Sequence, residues 1–212
     1  LLEASRRFGV EKFIYSSNGG ALYGDPEVNP CAEATPIRPM SPYGVSKHLG
    51  EQYVELYQRL YHLNYSILRY GNVYGPRQDP HGEAGVIAIF TQAMLEGRQP
   101  QIFGGGDQER DFVFVLDVVQ ANIRAMQQGD GHAINIGTGE STSVNCIYEA
   151  LQSIIEYRWE AEHRPQRPGE IYRISLECSK AARILGWSPQ VNLEKGLQQT
   201  VEFFRKGVRA TA

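Results

Sequence analysis

The sequence predicts an α/β protein built on a doubly wound parallel sheet. Three observations carry that prediction. Two short apolar strands, Lys12–Ser16 and Tyr65–Tyr70, each run into a loop containing Gly and Asn. Between them lies one segment of helical period, so strand, helix and strand make a parallel crossover. The same alternation continues to the C-terminus, with no internal repeat and no low-complexity tract.

The elements follow in order. Leu1, Leu2 and Phe8 share one face of an opening helix that Gly9 ends. Lys12–Ser16 is a buried strand entering the turn cluster Ser17-Asn18-Gly19-Gly20. Five prolines (Pro26, Pro30, Pro36, Pro39, Pro42) make residues 25–42 an irregular surface excursion. Ser41 then caps a helix with Pro42 at its first position. That helix runs to about Tyr61 and carries an apolar stripe of Val45, Leu49, Leu56 and Leu60. After the Tyr65–Tyr70 strand, Ala84–Leu95 reads as a helix, and Gln101–Phe103 and Asp111–Leu116 as strands. Asp117–Gln127 reads as a helix capped by Asp117 with Gln120 at N3. Ala133–Ile136 is a strand and Val144–Ile155 a helix; Ser179–Leu185, stopped by Gly186, and Leu193–Phe204 complete the chain.

Composition narrows the class. Hydrophobic residues make up 42% and charged residues 21% of the 212, the usage of a folded globular chain. A net charge of −3 offers no basic footprint for nucleic acid and no polybasic face for a membrane. The longest apolar runs, such as the one containing Val113–Leu116, fall far short of the roughly 20 residues that span a bilayer. Cys31, Cys146 and Cys178 lie far apart with no metal spacing, which reads as reduced thiols of a cytoplasmic protein without a metal site.

Tyr43 and Lys47 stand four residues apart in one predicted helix, so both project from the same face. A free tyrosine ionises near pH 10 and is a poor base, but an ammonium within reach favours the phenolate and moves that value down by roughly 1–3. The pair is therefore an acid/base unit suited to a sugar or alcohol hydroxyl. Its competing reading is an exposed i,i+4 pair with no chemistry, and the context decides. Upstream, Tyr15-Ser16-Ser17-Asn18-Gly19-Gly20-Ala21-Leu22-Tyr23-Gly24 stands at the C-terminal end of a strand, where open α/β sheets bind ligands. Downstream, also after a strand, comes the segment from Leu68-Arg69-Tyr70-Gly71-Asn72-Val73-Tyr74-Gly75-Pro76-Arg77 through His81-Gly82-Glu83-Ala84-Gly85.

Together with Ser41–Lys47, these segments resemble the extended short-chain dehydrogenase/reductase superfamily. Within it they resemble most the NAD-dependent epimerase/dehydratase family, in particular UDP-glucose 4-epimerases. The likeness continues through Arg110–Val118, Asn135-Ile136-Gly137-Thr138-Gly139 and Arg167-Pro168-Gly169-Glu170, in the family's order and spacing. It implies an NAD(P)-binding Rossmann-like sheet in residues 1–75 and 111–137, and a substrate-binding domain in 76–110 and 138–212. It also implies that Tyr43 is the catalytic tyrosine and that Lys47 binds the nicotinamide ribose and activates it. The Ser or Thr that holds the reacting hydroxyl falls within Ser16–Gly19: counting from Tyr23 gives Gly19, counting from Tyr43 gives Asn18, and Ser17 is the favoured candidate. Ser16 and Tyr70 would flank the cofactor. Asn72, Arg110, Arg167 and Glu170 would hold the nucleotide diphosphate and its ribose, a role that planar guanidiniums suit independently. Arg77 reads as a loop-fixing arginine, Gly104-Gly105-Gly106 as a tight turn, and His81 as part of a loop near the substrate entrance.

The superfamily's glycine-rich G-x-x-G-x-x-G turn, which seats the NAD pyrophosphate at a helix N-terminus, has no counterpart in these residues. The resemblance places it upstream of Leu1, so the expectation is an incomplete sheet lacking the first βαβ units, with activity belonging to a longer chain. The implied function is interconversion of UDP-glucose and UDP-galactose by a homodimer, through transient oxidation at C4. Two alternatives stand beside it: a non-catalytic nucleotide-sugar-binding or dimerising fragment, and a dehydratase or decarboxylase acting on a related nucleotide sugar. Those relatives need an acid just before the Tyr-Gly that corresponds to Tyr23-Gly24. Here those places hold Gly20 and Ala21, and no Asp or Glu occurs from Lys12 to Gly24.

Overall fold

The computed structural model describes residues 1–81, 85–167 and 169–211. Helix α1 (Leu2–Arg7) ends beside Gly9, which adopts φ +64°. Strand β1 (Lys12–Asn18) is longer than its apolar run predicts, because Ser17 and Asn18 continue the ladder opposite Arg69 and Tyr70. The turn cluster therefore starts only at Gly19, and Gly19–Leu22 is a single helical turn, α2. The proline-rich segment is irregular apart from an isolated bridge between Cys31 and Leu176.

Helix α3 (Pro42–Tyr61) begins as its sequence dictates: the Ser41 hydroxyl accepts the Gly44 N–H at 3.1 Å, with Pro42 at N1. The inner face is Gly44, Glu51 and Val54, whereas Val45, Leu49, Tyr53 and Leu60 lie exposed. Two glycines cause this. The Ala21 carbonyl oxygen would stand 2.6 Å from a Cβ on Gly44, and the Tyr15 ring occupies the place of one on Gly50. The helix thus lies tight against β1 and α2 on its glycine face and leaves its apolar stripe outside.

Strands β2 (Asn64–Tyr70) and β3 (Asn72–Tyr74) follow, then helix α4 (Val86–Leu95); its expected start at Ala84 falls outside the described residues. Strand β4 (Gln101–Phe103) leads through a triglycine turn with Gly104 and Gly106 at positive φ, as expected, to β5 (Glu109–Arg110) and β6 (Phe112–Phe114). Helix α5 (Val115–Ala125) starts two residues earlier than Asp117, which is not its cap. Instead the buried Asp117 carboxylate accepts the Val191 N–H at 3.1 Å and its carbonyl accepts the Trp187 indole N–H at 2.8 Å. A tertiary contact has taken the side chain that local sequence assigned to the helix end. The remaining elements are β7 (His132–Ile136), β8 (Thr142–Ser143), α6 (Val144–Ile155), β9 (Glu162–Arg164), α7 (Ser179–Leu185) and α8 (Leu193–Thr211).

β1, β2 and β7 form a parallel sheet in that spatial order. Helices cover both of its faces. Val54 of α3 packs on Tyr65 and Ile67, with Leu2 of α1 alongside; on the other face Val118, Ala121 and Ala125 of α5 and Ala181 and Leu185 of α7 pack on Leu68, Ile134 and Ile136. A separate core joins α4, α6 and α8 through Phe90, Ile147, Leu151, Leu197 and Val201. α7 thus belongs to the sheet-side core although it lies in the stretch assigned to the substrate part. The parallel pair β3–β6 joins the two cores, with Val73 and Val113 on the sheet side and Tyr74, Phe112 and Phe114 in the second core; β4–β9 (parallel) and β5–β8 (antiparallel) are separate pairs.

Candidate active site

The C-terminal ends of β1 and β2 and the first turns of α3 converge on a cavity of about 320 Å³. Ser16, Ser17, Asn18, Tyr43, Lys47, Tyr70, Asn72 and Gln78 contribute to its wall. Strand alternation decides which of the β1 side chains can act here. Ser16 and Asn18 share one face: the Ser16 hydroxyl lies 3.2 Å from that of Tyr70, and the Asn18 amide donates to the Tyr43 hydroxyl at 3.4 Å. Ser17 points to the opposite face. It is 2% exposed, and its hydroxyl donates to Glu51 Oε1 at 2.6 Å. Ser17, the favoured candidate for the group holding a substrate hydroxyl, borders the cavity but gives its hydroxyl proton to Glu51, and Asn18 is the residue whose side chain meets Tyr43.

Tyr43 is about half exposed toward the cavity. The Lys47 ammonium lies 5.7 Å from its ring centre and 5.6 Å from that of Tyr15, and it donates to the Ser16 carbonyl at 2.9 Å. One helical turn and one strand-end carbonyl thus place a cation beside a phenol. Tyr70 is tied through its hydroxyl to Asn122 of α5 at 3.0 Å.

A second cavity, about 540 Å³, shares Asn72, Gly85, Val86 and Phe112 with the first, so the two adjoin. It brings Arg110 together with Arg167 and Glu170, which stand much later in the sequence. The Arg167 guanidinium stacks 3.8 Å above the Phe103 ring. Arg110 Nη2 lies 3.7 Å from Glu170 Oε1, and Gln108 donates to the same oxygen at 3.3 Å. Burial pulls Arg110 below the usual guanidinium range, with Glu170 and Asp25 opposing. Glu170 Oε2 is buried with no hydrogen-bond partner among the described residues, an acceptor awaiting a donor. Pro168, within the same motif, lies outside the described residues, as do Gly82 and Glu83 beside His81.

The buried Asp111 anchors this wall. Its carboxylate accepts from Thr138 N and Oγ1, Gly139 N and Leu176 N at 2.7–3.0 Å, and its carbonyl accepts the Asn72 N–H at 2.6 Å. Burial pushes its carboxyl up, and those four donors hold it down. Sequence reasoning missed this anchor, as it missed Glu51 and Arg69. Their visible signal was the spacing of Glu51, one turn beyond Lys47, and a charged residue inside an otherwise apolar strand. Among the described residues no group of His, Cys, Asp and Glu could hold a metal ion, and no helix is long and apolar enough to cross a membrane.

A doubly wound sheet that presents a Tyr-x-x-x-Lys helix at its strand ends, beside an arginine-lined cavity, defines a short-chain dehydrogenase/reductase-type scaffold. Residues 1–137 match the NAD dependent epimerase/dehydratase family, and the chain belongs to that NAD-dependent family. It is 47% identical over 206 residues to the UDP-glucose 4-epimerase of Mycolicibacterium smegmatis, covering 97% of this chain and 66% of that protein. Among solved structures it superposes on the UDP-glucose 4-epimerase of Thermotoga maritima with UDP-glucose at a TM-score of 0.96. That pair is 51% identical and covers 98% of this chain and 68% of the other. The Thermus thermophilus UDP-glucose 4-epimerase complex with NAD gives a TM-score of 0.92 at 42% identity, covering 97% and 67%. The chain spans about two thirds of the length of these relatives.

Proposed function

We propose that this chain carries the catalytic pair and the substrate cavity of a nucleotide-sugar 4-epimerase that interconverts UDP-glucose and UDP-galactose. One observation carries the reading: the Tyr43–Lys47 cavity adjoins, at Asn72 and Phe112, the cavity of Arg110, Arg167 and Glu170. A ligand with a hexose at one end and a nucleotide at the other fits that sequence of groups. Arg110 and Arg167 are the diphosphate ligands, and the orphaned Glu170 Oε2 accepts a ribose hydroxyl.

The donor set of the smaller cavity fits the nicotinamide riboside end of NAD. Lys47 uses one of its three protons on Ser16 and keeps two for ribose hydroxyls, while Ser16 and Tyr70 line the same wall. When bound, NAD supplies a reversible hydride acceptor and donor at the sugar C4. Tyr43 takes the C4 hydroxyl proton as the carbonyl forms and returns it as the hydroxyl is restored, so acid and base are one residue. Lys47 favours the phenolate, and Asn18 orients the hydroxyl through its amide. Arg110 and Arg167 grip the diphosphate, which leaves the hexose free to present either face.

The dehydratase and decarboxylase readings lack their acid. A Cβ on Gly20 would lie 3.1 Å from Asn72 Oδ1 and 3.3 Å from Asn18 Oδ1, so this position looks into the site and is bare. In the same reading residues 1–75 and 111–137 serve the cofactor, 76–110 and 138–212 the nucleotide sugar, and the protein is a cytoplasmic homodimer through the outer face of α3. Full-length protein with NAD and UDP-galactose tests the function by mass spectrometry. An isobaric UDP-glucose product is expected; loss of water from UDP-glucose, or of carbon dioxide from a UDP-uronic acid, would overturn the epimerase reading.

A further inference from the structure

On the sheet face that the catalytic helix covers lies a buried polar cluster, whose Ser17 also borders the cavity. Ser17 and Arg69 are paired residues of β1 and β2, and Asn135 of β7 continues the row. Glu51 of α3 drops onto that row. Its Oε1 accepts from the Ser17 hydroxyl at 2.6 Å and Arg69 Nε at 2.9 Å, and its Oε2 accepts from Arg69 Nη2 at 2.7 Å. Arg69 Nη1 donates to the Tyr23 hydroxyl at 2.9 Å, which donates to Asn135 at 2.8 Å. Ser17, Glu51, Arg69, Tyr23 and Asn135 are all buried.

Burying an ion pair brings little net stability, because desolvation offsets most of the attraction. What such a cluster supplies is geometry. Tyr43, Lys47 and Glu51 stand at successive turns of α3. Lys47 is held by the carbonyl of Ser16 and Glu51 by the hydroxyl of Ser17, so neighbouring residues of β1 grip two consecutive turns. The next residue of the strand, Asn18, meets Tyr43. The register of α3 along β1, and with it the spacing of Asn18, Tyr43 and Lys47, is set by this grip.

We propose that Ser17, Glu51 and Arg69 are positioning residues for the Tyr43–Lys47 pair, clamping the catalytic helix to β1 in the register that keeps the ammonium beside the phenol. The inference rests on the acid–base reading of Tyr43. The clamp acts through placement rather than through its own charge. Arg69 neutralises Glu51, and the other titratable groups against the cluster, Tyr15 on β1, Tyr23 after α2 and Glu33, whose carboxylate accepts the Asn135 N–H at 2.8 Å, stay in place. Loosening the clamp draws Lys47 away from Tyr43 and leaves more of the phenol protonated at a given pH.

The test uses the full-length, NAD-loaded enzyme with Ser17→Ala, Ser17→Thr, Glu51→Gln, the double Ser17→Ala/Glu51→Gln and Tyr43→Phe. Ser17→Ala should lower kcat by about 10- to 100-fold with the KM for the UDP-sugar unchanged, the scale of a misplaced catalytic group. The acid limb of the kcat profile should move to higher pH. Ser17→Thr should restore both, Glu51→Gln should give the same displacement, and the double variant should be no worse than either single change. As a readout independent of turnover, tyrosinate absorbance, taken as the difference between each variant and its Tyr43→Phe counterpart, should move in the same direction. Lower thermal stability with an unmoved pH profile would reduce the cluster to a structural role and overturn the inference. So would a Ser17→Ala defect that Glu51→Gln does not share, which would put Ser17 in contact with substrate; if Glu51→Gln does not fold, the Ser17→Ala and Ser17→Thr profiles decide alone. A fully active Tyr43→Phe variant would instead sink the acid–base reading on which the clamp depends.

Discussion

The ammonium of Lys47 sits 2.9 Å from the carbonyl oxygen of Ser16, at the strand end that faces the Tyr43 ring. A flexible side chain is thereby held by a backbone atom of the sheet, and its position follows the sheet rather than its own rotamers. The hydrogen bond leaves charge and donors available to the cavity, where a phenolate and a ribose would use them.

Removal of that cation is the first prediction. Lys47→Met keeps the length of the side chain and removes its charge, so the acid limb of the kcat profile should move to higher pH. The affinity for free UDP should stay the same, since no nucleotide ligand is touched. The pH dependence of turnover, with calorimetry of UDP binding as the control, checks both halves. An unmoved profile would contradict the role of Lys47.

The two arginines should differ. Arg110 is partly buried beside Glu170, and Arg110→Ala removes charge-assisted hydrogen bonds worth about 1.5–3 kcal/mol. UDP affinity should therefore fall by roughly 10- to 150-fold, at 1.4 kcal/mol per decade. Arg167 is preset by stacking on Phe103, so Phe103→Ala should weaken UDP binding in the same direction as Arg167→Ala, but by less. Equal affinities for wild type and Arg110→Ala in calorimetry would remove Arg110 from the diphosphate site.

How much of this was legible in the sequence depends on the range of each signal. Local signals served well: Ser41-Pro42 started α3, and Gly9 and Gly186 ended their helices at positive φ. The short strands β3, β5, β8 and β9 span only two or three residues and exist through pairing with distant partners, so no periodicity announced them. Asp117 carried the pattern of a cap and was used instead by Val191. At the site, Tyr43 and Lys47 were readable from one helix turn. The choice between Ser17 and Asn18 was not, because it turns on which face of β1 each residue occupies. A strand that ran two residues further than its apolar stretch fixed that parity.

The outer face of α3 yields the third prediction. Leu49 and Leu60 are 52% and 58% exposed, and Val45 and Tyr53 extend the same face. A continuous apolar helix face of this kind marks an association surface. Light scattering of the full-length protein should give a dimer, and Leu49→Glu with Leu60→Glu should give a monomer. A wild-type monomer at micromolar concentration would remove the homodimer from the account.

The cysteines give a fourth. Burial pushes the Cys31 thiol up to about 11 and the Cys178 thiol up to about 12, while Cys146 is exposed. At mildly alkaline pH iodoacetamide should modify Cys146 and spare the other two, as peptide mass spectrometry would report. Both folded values lie above the unfolded-chain value of about 8.5. The folded state therefore holds protons that the unfolded chain releases, so these groups' contribution is full below that value and is lost as pH rises through the folded ones. Urea midpoints should accordingly fall above about pH 9, and rising midpoints there would contradict the burial of these thiols.

The central claim is that Tyr43 carries the proton of the reacting sugar hydroxyl, and one substitution addresses it directly. Tyr43→Phe in the full-length, NAD-loaded protein deletes that proton carrier and leaves the ring, the helix and the nucleotide cavity in place. Turnover of UDP-galactose should fall by at least about 100-fold, the lower end of general acid–base contributions, while calorimetry shows UDP binding unchanged. Turnover within a few-fold of wild type, with the same UDP affinity, would contradict the account.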